Sequence, residues 1–564
     1  MMFSASSDTY HSWDQSEARY FDVGTWTAIK NPLDNWASTY QNIKIAYHVL
    51  ENIDDVPIKN DLNKEEYINV IIPRYKAEAK FMIAYYYFEL LRRYGPFPII
   101  DHYTKIDEAE AVLAMERNSV DECVEFIVTY CNEAMSGLPH YTDYEAKDSG
   151  RATKGAAMAL KAKTLLYAAS PLFNGGEVDG QEINVDGKGV KSTLLGLVTP
   201  SGKPLFNTSY DAEKWKRAAE AAEEVLKLVD EGMYKLHPDR QELFYTRNFD
   251  EAIFWKQGYH NNKTWEKSLM PNGKDYSGTG ALGPTQETID CYETIRGYPI
   301  SKDPYYKEDG YKVDTLMDVY RSKKWQKVKA TIRNMYHRRD PRFYTDVYFH
   351  GMPYLSRYIF TEYNNESTNY TDGYGKGKEG QNTRTGYYVR KWVGIEQDMA
   401  TSSTQVAYSR NYYIIRLADV YLWAAEAWNE YEGPTARVYN RINEVRNRVG
   451  MPSLPMADLP GDATKQGMRD RIHNERRIEL AYEEAHCFFD IRRWLVAHTP
   501  AYTSLTGMAI SKSGDEFYIR TKVRDTDRIF RINHYLFPIP QGQINLTNTL
   551  NQNYGWEYAE ESAE

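Results

Sequence analysis

The chain has 564 residues, of which 42% are hydrophobic and 26% are charged, as is typical of a globular protein. Its 69 basic and 79 acidic side chains give a net charge of −10, which argues against nucleic-acid binding, because such proteins present a basic face. No 18 consecutive residues are uncharged and apolar, so the sequence predicts no transmembrane helix. The unusual feature is the content of 48 Tyr, 12 Trp and 19 Phe. Many Tyr lie in polar, loop-like stretches, which indicates a recognition surface.

The start of the chain and the four cysteines leave alternatives open. The first residues, MMFSASSDTYHSWDQSE, contain neither the basic nor the apolar region of an export signal. The protein is therefore either cytoplasmic or lacks its true N-terminus. Cys123 and Cys131 fall in one predicted helix, about 12 Å apart, which is too far for a disulfide. Because the sequence has no C-x-x-C, we expect these two residues, Cys291 and Cys487 to be free, buried thiols.

Helical periodicity recurs in both halves of the chain. Apolar residues at helical spacing predict helices in NWASTYQNIKIAYHVLENI and in RYKAEAKFMIAYYYFELLRRYGPFP, where Gly95 and Pro96 end the helix. Further helices are predicted over about 119–137 and 152–170, and in DAEKWKRAAEAAEEVLKLVDEG, RNYYIIRLADVYLWAAEAWNEY, PTARVYNRINEVRNRVG and GMRDRIHNERRIELAYEEAHCFFDIRRW. Helix pairs with small residues where they cross predict a tetratricopeptide-like solenoid.

Long irregular stretches separate these helices. Residues 175–207 contain Asp-Gly pairs that predict hairpins. The stretches at about 250–315 and 343–405 are rich in Gly, Asn and Tyr, and are too long to be simple connectors. The sequence therefore predicts an all-α dominated scaffold with long irregular loops and small β-hairpins. Binding residues usually lie in loops on such a scaffold.

No motif predicts catalysis. GTGALG (278–283) matches a dinucleotide pattern, but a polar loop precedes it and Pro284 follows it. The segment NERRIELAYEEAHCFFDIRRW (474–494) holds carboxylates that would suit an acid/base pair, yet their mixture with arginines favours structural ion pairs. Asp179 and Asp186 lack calcium-loop spacing, which favours a plain turn over a calcium site. We expect no catalytic residue, no metal and no cofactor.

Aromatic residues in the loops are the candidate ligand-binding residues. Trp265 is the strongest, because Asn and Lys residues surround it in YHNNKTWEKSLMPN, so we expect an exposed, flat apolar ring with hydrogen-bond donors at its rim. Trp26 is the second, with Asn31 five residues further on, and three Tyr residues are weaker candidates. Burial against the scaffold is the alternative for each ring. The full set is Trp265, Trp26, Asn31, Tyr276, Tyr292 and Tyr305.

Several segments, in order, resemble the SusD/RagB family of nutrient-binding outer-membrane lipoproteins. They are AEAKFMIAYYYFELLRRYGPFPII, GRATKGAAMALKAKTLLYAA, GALGPTQETIDCYETIRGYPI, RRDPRFY, RLADVYLWAAEAWNE, INEVRNRVGMPSLP, ERRIEL, DIRRW and PIPQGQINL followed by LNQNYGW. Two segments depart from the family pattern. Where the family reads Glu-Gly-x-Arg, this chain has Glu484, with His486 or Cys487 at the position of the Arg. The last of the listed segments reads QNYGW, where the family reads QNPGY.

The resemblance implies one SusD-like domain over 1–564, with an N-terminal part at about 1–240 and a C-terminal part at about 241–564. It also implies an outer-surface lipoprotein of the outer membrane, so we expect an export signal and an anchor cysteine upstream of the given chain. Membrane attachment would be through that lipid anchor alone. Such a protein captures a glycan and delivers it to a SusC-like TonB-dependent transporter, without chemistry of its own.

Three alternatives stay open at this point. The first is a peptide-binding import protein of the same fold, and the second is a polysaccharide-cleaving enzyme. The third is a helical-repeat adaptor that binds other proteins in a concave groove. The adaptor ranks low, because it would show regular repeats and would need no long Tyr- and Asn-rich insertions.

Overall fold

The computed structural model describes residues 5–58, 63–247, 249–258, 263–271, 278–355, 357–362, 373, 382–395, 410–513 and 515–556. Within these residues, eight helices form the scaffold: α1 (Trp36–Asn52), α2 (Ile72–Tyr94), α3 (Val120–Gly137), α4 (Lys154–Ala169), α5 (Glu213–Asp230), α6 (Leu417–Glu432), α7 (Ala436–Arg448) and α8 (Lys465–Glu479). Short helices span Arg19–Val23, Lys64–Glu66, Ala109–Leu113, Lys263–Leu269, Gln286–Cys291, Pro341–Asp346, His486–Arg493, Pro500–Thr503 and Gln541–Ile544.

The scaffold helices pack in chain order, which confirms the predicted tetratricopeptide-like arrangement. Each helix from α1 to α6 packs against the next, and both α7 and α8 pack against α6. Local sequence sets the helix ends. Ser119 and Glu122 form a capping box at the start of α3, and Thr153 accepts the Ala156 N–H at 3.0 Å at the start of α4. Because α4 is rich in alanine, neighbouring helices approach it on nearly every side.

The described strands form eight two-stranded antiparallel sheets. The strands are β1 (Thr9–His11), β2 (Glu177–Val178), β3 (Gln181–Glu182), β4 (Asn184–Val185), β5 (Lys188–Gly189), β6 (Ala252–Gln257), β7 (Leu282–Pro284), β8 (Tyr311–Arg321), β9 (Lys324–Arg333), β10 (Val347–Tyr348), β11 (Pro353–Tyr354), β12 (Arg357–Tyr358), β13 (Tyr388–Val389), β14 (Asn411–Arg416), β15 (Thr506–Ser513) and β16 (Asp515–Lys522). Three sheets join strands that are distant in the sequence, as β1–β7, β6–β14 and β10–β13.

The other five sheets pair consecutive strands, as β2–β3, β4–β5, β8–β9, β11–β12 and β15–β16. The predicted Asp-Gly turns are confirmed, since Asp179 and Asp186 adopt positive φ in β2–β3 and β4–β5. The hairpins β8–β9 and β15–β16 lie in segments for which the sequence pattern gave no prediction. Gly283 of the GTGALG motif lies in β7 and pairs with Tyr10, so the motif runs into a strand at the position where a nucleotide loop would begin a helix.

Two hydrophobic clusters fill the molecule. The first lies among the eight scaffold helices, and the second is formed mainly by segments between residues 243 and 393. Cys123 and Cys131 are buried free thiols in α3, as predicted, whereas Cys291 and Cys487 are free but only partly buried. Among the described helices, none has both the length and the hydropathy needed to cross a membrane.

Candidate functional site around Tyr305

Two of the six predicted ligand-binding residues lie in the hydrophobic cores. Trp26 is 2% exposed, and its ring centroid lies 4.7 Å from that of Trp556. Tyr292 is fully buried, and its hydroxyl donates to Asp346 Oδ2 at 3.1 Å. The prediction that these rings face a ligand is corrected, because both complete the interior packing. Each ring has polar neighbours in the sequence, whereas its aromatic or acidic neighbours in space come from distant segments. The sequence therefore did not predict that the rings are buried.

Asn31 makes a local structural contact in the loop before α1. Asn31 is half-buried, and its Oδ1 accepts the Leu33 N–H at 3.0 Å in the turn before α1. This contact is a local Asx turn that positions the entry to the helix. Tyr276 lies outside the described residues.

Trp265 is half-buried on the short helix Lys263–Leu269 and packs against the second hydrophobic cluster. The adjacent Glu266 is 1% exposed, pairs with Arg410 and accepts the Gly394 N–H at 3.0 Å. These contacts fix the helix to the body of the molecule. The sequence predicted an exposed ring at Trp265, whereas the structure leaves only part of the ring accessible.

Tyr305 is the predicted residue that opens into a cleft. It is 75% exposed, and the Arg296 guanidinium lies 4.5 Å from its ring centroid. The same guanidinium lies 4.8 Å from the Tyr298 ring. The cleft has a volume of 540 Å³, within the range of roughly 300–1,000 Å³ that is common for ligand pockets. Its walls are Thr294, Ile295, Arg296, Asp303, Tyr305, Tyr306, Lys307, Asn334, His337 and Arg338.

Asp303 fixes the wall that carries Tyr305. Its Oδ1 accepts the Tyr305 N–H at 2.9 Å and an Arg296 N–H at 2.8 Å, while its Oδ2 accepts the Thr294 hydroxyl at 2.7 Å. Burial alone would raise the pKa of this carboxyl. The hydrogen bonds from Thr294 and Tyr305 and the charge of Arg296 nevertheless hold the Asp303 pKa below its ordinary value. The ionised carboxylate therefore holds Arg296 and the Tyr305 backbone together.

The opposite wall follows the end of β9. Asn334 Nδ2 donates to the Asp309 carbonyl at 2.5 Å, and the Ile295 N–H donates to the Arg338 carbonyl at 2.8 Å. Burial, together with nearby Lys312 and Arg338, lowers the pKa of His337, so its imidazole is neutral at pH 7 and offers one donor and one acceptor. Arg338 is exposed at the cleft edge. The cleft thus combines an accessible ring with several hydrogen-bonding groups.

The carboxylates of 474–494 lie away from this cleft in a buried ion-pair network. Glu475, Glu479, Glu483 and Asp490 are each at most 4% exposed and pair with arginine or lysine side chains. The prediction that this segment is structural is confirmed. Among the residues that the structure describes, no group of three or more His, Cys, Asp or Glu is arranged to hold a metal ion.

Most residues of the cleft were not predicted from the sequence. Arg296 and Asp303 lie within ten residues of Tyr305, so the polar spacing around this Tyr was an available signal. Asn334 and Arg338 had no such signal. They reach the cleft because the hairpin β8–β9 folds back and Thr294 forms an isolated antiparallel bridge with Arg339.

Comparisons with known proteins identify the family. A model described as "SusD family" matches residues 250–556, which is more than half of the chain. The chain belongs to the SusD family. A second model, described as "Starch-binding associating with outer membrane", matches residues 2–166 of this SusD-family protein.

Individual relatives agree with this assignment. SusD-like protein P25 of Formosa agariphila is 24% identical over 469 residues, covering 82% of this chain and 70% of the relative. A solved SusD-like protein from Bacteroides fragilis has a TM-score of 0.70 and 25% identity, covering 98% of this chain and 93% of that one. A SusD-like carbohydrate-binding protein from the same species has a TM-score of 0.69 and 21% identity, with coverages of 98% and 92%, and shows the same fold.

Proposed function

We propose that this SusD-family protein captures a glycan at the outer surface of the outer membrane and delivers it, uncleaved, to a SusC-like TonB-dependent transporter. The description of the family model over residues 2–166 supports the glycan class and the membrane. The solved relative that is named a carbohydrate-binding protein supports the same ligand class. The observation that carries the proposal is the exposed Tyr305 ring beside Arg296 in an open cleft.

The geometry of the cleft suits a sugar ring. Sugars present apolar C–H faces that pack on aromatic rings, and their hydroxyls require donors and acceptors at the rim. Tyr305 offers the flat face, while Arg296, Asn334 and Arg338 offer polar groups around it. Because Asp303 fixes both Arg296 and the backbone of Tyr305, the ring and the guanidinium keep one relative position. Preorganisation of this kind reduces the entropy lost on binding.

The first experiment identifies the ligand on a glycan array and then measures its affinity by isothermal titration. Tyr305→Ala should weaken binding at least about tenfold, which corresponds to about 1.4 kcal/mol, with an unchanged melting temperature because the ring is exposed. The matched control is Tyr67→Ala, which removes a 40% exposed ring elsewhere on the surface and should leave affinity unchanged. Equal affinities of wild type and Tyr305→Ala would place the glycan elsewhere.

Two further measurements test the remaining parts of the proposal. Incubation of the pure protein with its glycan should release no new reducing ends, whereas release that a single carboxylate substitution abolishes would establish an enzyme. Binding to a peptide library but to no glycan would favour peptide import. Co-purification of the native protein with a TonB-dependent transporter from outer membranes would support the delivery step, and its recovery in the cytosol would contradict it.

A further inference from the structure

The hairpin β8–β9 carries an exposed tip whose sequence is YRSKKW (320–325). Ser322 and Lys323 both adopt positive φ, 50° and 61°, and form a tight two-residue turn. The base of the hairpin is fixed, since the Tyr358 hydroxyl donates to the Lys329 carbonyl at 2.9 Å and the Arg333 guanidinium lies 4.7 Å from the Tyr518 ring. Residues 322–325 are all exposed. The tip is therefore a convex projection from an anchored base.

The charge of the hairpin is opposite to that of the molecule. Residues 311–333 contain seven basic and two acidic side chains, a net charge of +5, in a chain whose net charge is −10. Both acidic side chains lie below the tip, where Asp318 pairs with Lys327 and Asp314 with Lys329. Lys323 and Lys324 at the tip are exposed, and within the described chain no carboxylate lies within 4.0 Å of either ammonium. The tip is thus a region of concentrated positive charge.

An aromatic pair lies directly beside these lysines. Tyr320 and Trp325 are opposite each other in the strand register, with ring centroids 5.4 Å apart in an edge-to-face arrangement. Trp325 is 46% exposed, and Leu316, on the same face of the hairpin, is 58% exposed. Amphipathic aromatic rings together with lysines on flexible stems are the side chains that favour a membrane–water interface.

We propose that residues 320–325 dock this protein on an anionic lipid surface, which would be a second membrane contact besides the lipid anchor that the sequence resemblance implies. A sugar ring is bound in a concave site, whereas a convex tip with cations at its apex suits a flat sheet of phosphate groups. Each Lys or Arg near such a surface strengthens the attraction to it. Because the rest of the chain is acidic, an anionic membrane repels the body and attracts the tip, which fixes the orientation. The inference is independent of the glycan proposal, since the Tyr305 cleft contributes no residue to the tip.

The test is co-sedimentation with vesicles, using the full chain. Wild type should bind vesicles of phosphatidylcholine mixed with phosphatidylglycerol, should bind vesicles of phosphatidylcholine alone far less, and should lose affinity as salt rises above about 0.15 M. The double substitution Lys323→Glu/Lys324→Glu should reduce partitioning at least tenfold, and Trp325→Ala should reduce it severalfold. The control Lys216→Glu/Lys227→Glu changes two lysines of α5, whose side chains are 41% and 63% exposed, by the same total charge and should leave partitioning unchanged.

Unchanged melting temperatures, expected because the substituted side chains are exposed, would show that the variants are folded. Equal losses in the tip and control variants would mean that net charge alone governs binding, and would overturn the proposal. Affinity electrophoresis in alginate tests the competing partner, an acidic polysaccharide. A tip-dependent shift in alginate, with no binding to either kind of vesicle, would assign the tip to polysaccharide and also overturn the lipid proposal.

Discussion

Arg416 and Glu479 are both fully buried, and Arg416 Nη2 donates to Glu479 Oε1 at 2.8 Å. Three further arginines, from separate segments of the chain, pair with the same carboxylate. Burial alone would raise the Glu479 pKa, but these guanidinium groups hold it well below its ordinary value. Glu479 ends α8, so the cluster joins this helix to the start of α6, the end of α7 and two segments outside the scaffold helices. The partners are Arg240, Arg342, Arg416 and Arg448.

Glu479→Gln should strongly destabilise the protein. Removal of the charge leaves several buried guanidinium groups without their shared negative partner. The free energy of unfolding should therefore fall by about 3–5 kcal/mol. Urea unfolding measures the loss as a lower midpoint. Glu224→Gln is the matched control, because Glu224 pairs with Lys227 on the surface and should change stability by less than about 1 kcal/mol. Similar midpoints for the two variants would show that the buried cluster contributes little.

Much of the helical scaffold could be predicted from the sequence, because each long helix carries a local apolar stripe and many carry end signals such as Gly95. The hairpin β8–β9 was not predicted, since its inward face is only partly apolar. A short alternation of polar and apolar residues is weak evidence for a strand. The candidate site was the least predictable part. Trp26 and Tyr292 have polar neighbours in sequence, but burial depends on the distant partners Trp556 and Asp346. Tyr305, ranked low from sequence, lies in the cleft.

Arg477→Ala tests the structural role of α8 at a second position. Arg477 Nε lies 2.8 Å from Asp8 Oδ1, so the pair ties the N-terminal segment to α8, and both side chains are buried. We expect a loss of about 3–5 kcal/mol, because Asp8 is left as an unpaired buried charge. Thermal unfolding should shift by several degrees, while the folded fraction keeps its ligand affinity. Normal melting combined with lost binding would instead assign Arg477 to the ligand site.

Adding Asp8→Asn to Arg477→Ala separates the contribution of the ion pair to stability from the contribution of packing. If the charge pair causes the loss, the double variant should be more stable than Arg477→Ala alone, because the uncompensated carboxylate is gone. A double variant that is less stable than either single variant would show that Arg477 acts mainly through its packing against Tyr502, whose ring centroid lies 5.0 Å from the guanidinium.

Stability should fall as the pH drops below about 6.5, and His534 is one cause. Burial, with the nearby Arg492 and Arg531, lowers the pKa of His534 from 6.5 to about 3 in the folded state. Between these values the unfolded chain binds a proton that the folded protein does not, so acidification favours unfolding. Below pH about 4.5 a second loss begins, because arginines hold the pKa of buried Glu89 at about 2 despite its burial.

His534→Asn should reduce the slope of unfolding free energy against pH between pH 6.5 and 4. The Asn carbonyl can take the place of His534 Nδ1, which accepts the Arg531 N–H at 3.1 Å, while removing the titrating ring. His48→Asn, an exposed substitution on α1, is the control and should keep the wild-type slope. An identical slope in His534→Asn and wild type would show that His534 contributes nothing to the acid sensitivity.

The role of Trp265 in ligand binding stays a prediction. Its ring packs partly against the second hydrophobic cluster, and Glu266 anchors the same short helix. Trp265→Ala should therefore cost about 2 kcal/mol, roughly half the loss of a fully buried aromatic side chain. If the accessible part of the ring contacts the glycan, the folded fraction should also bind at least about tenfold more weakly. Urea unfolding and isothermal titration measure the two effects separately.

Trp265→Phe distinguishes packing from recognition at this position. Phe preserves most of the buried contact and retains a smaller flat ring, so this variant should recover most of the stability and only part of the affinity. Tyr305→Ala provides the comparison, with lost affinity and unchanged stability. Wild-type affinity in both Trp265 variants, with stability lost in Trp265→Ala, would remove Trp265 from the ligand site and leave it as a structural residue.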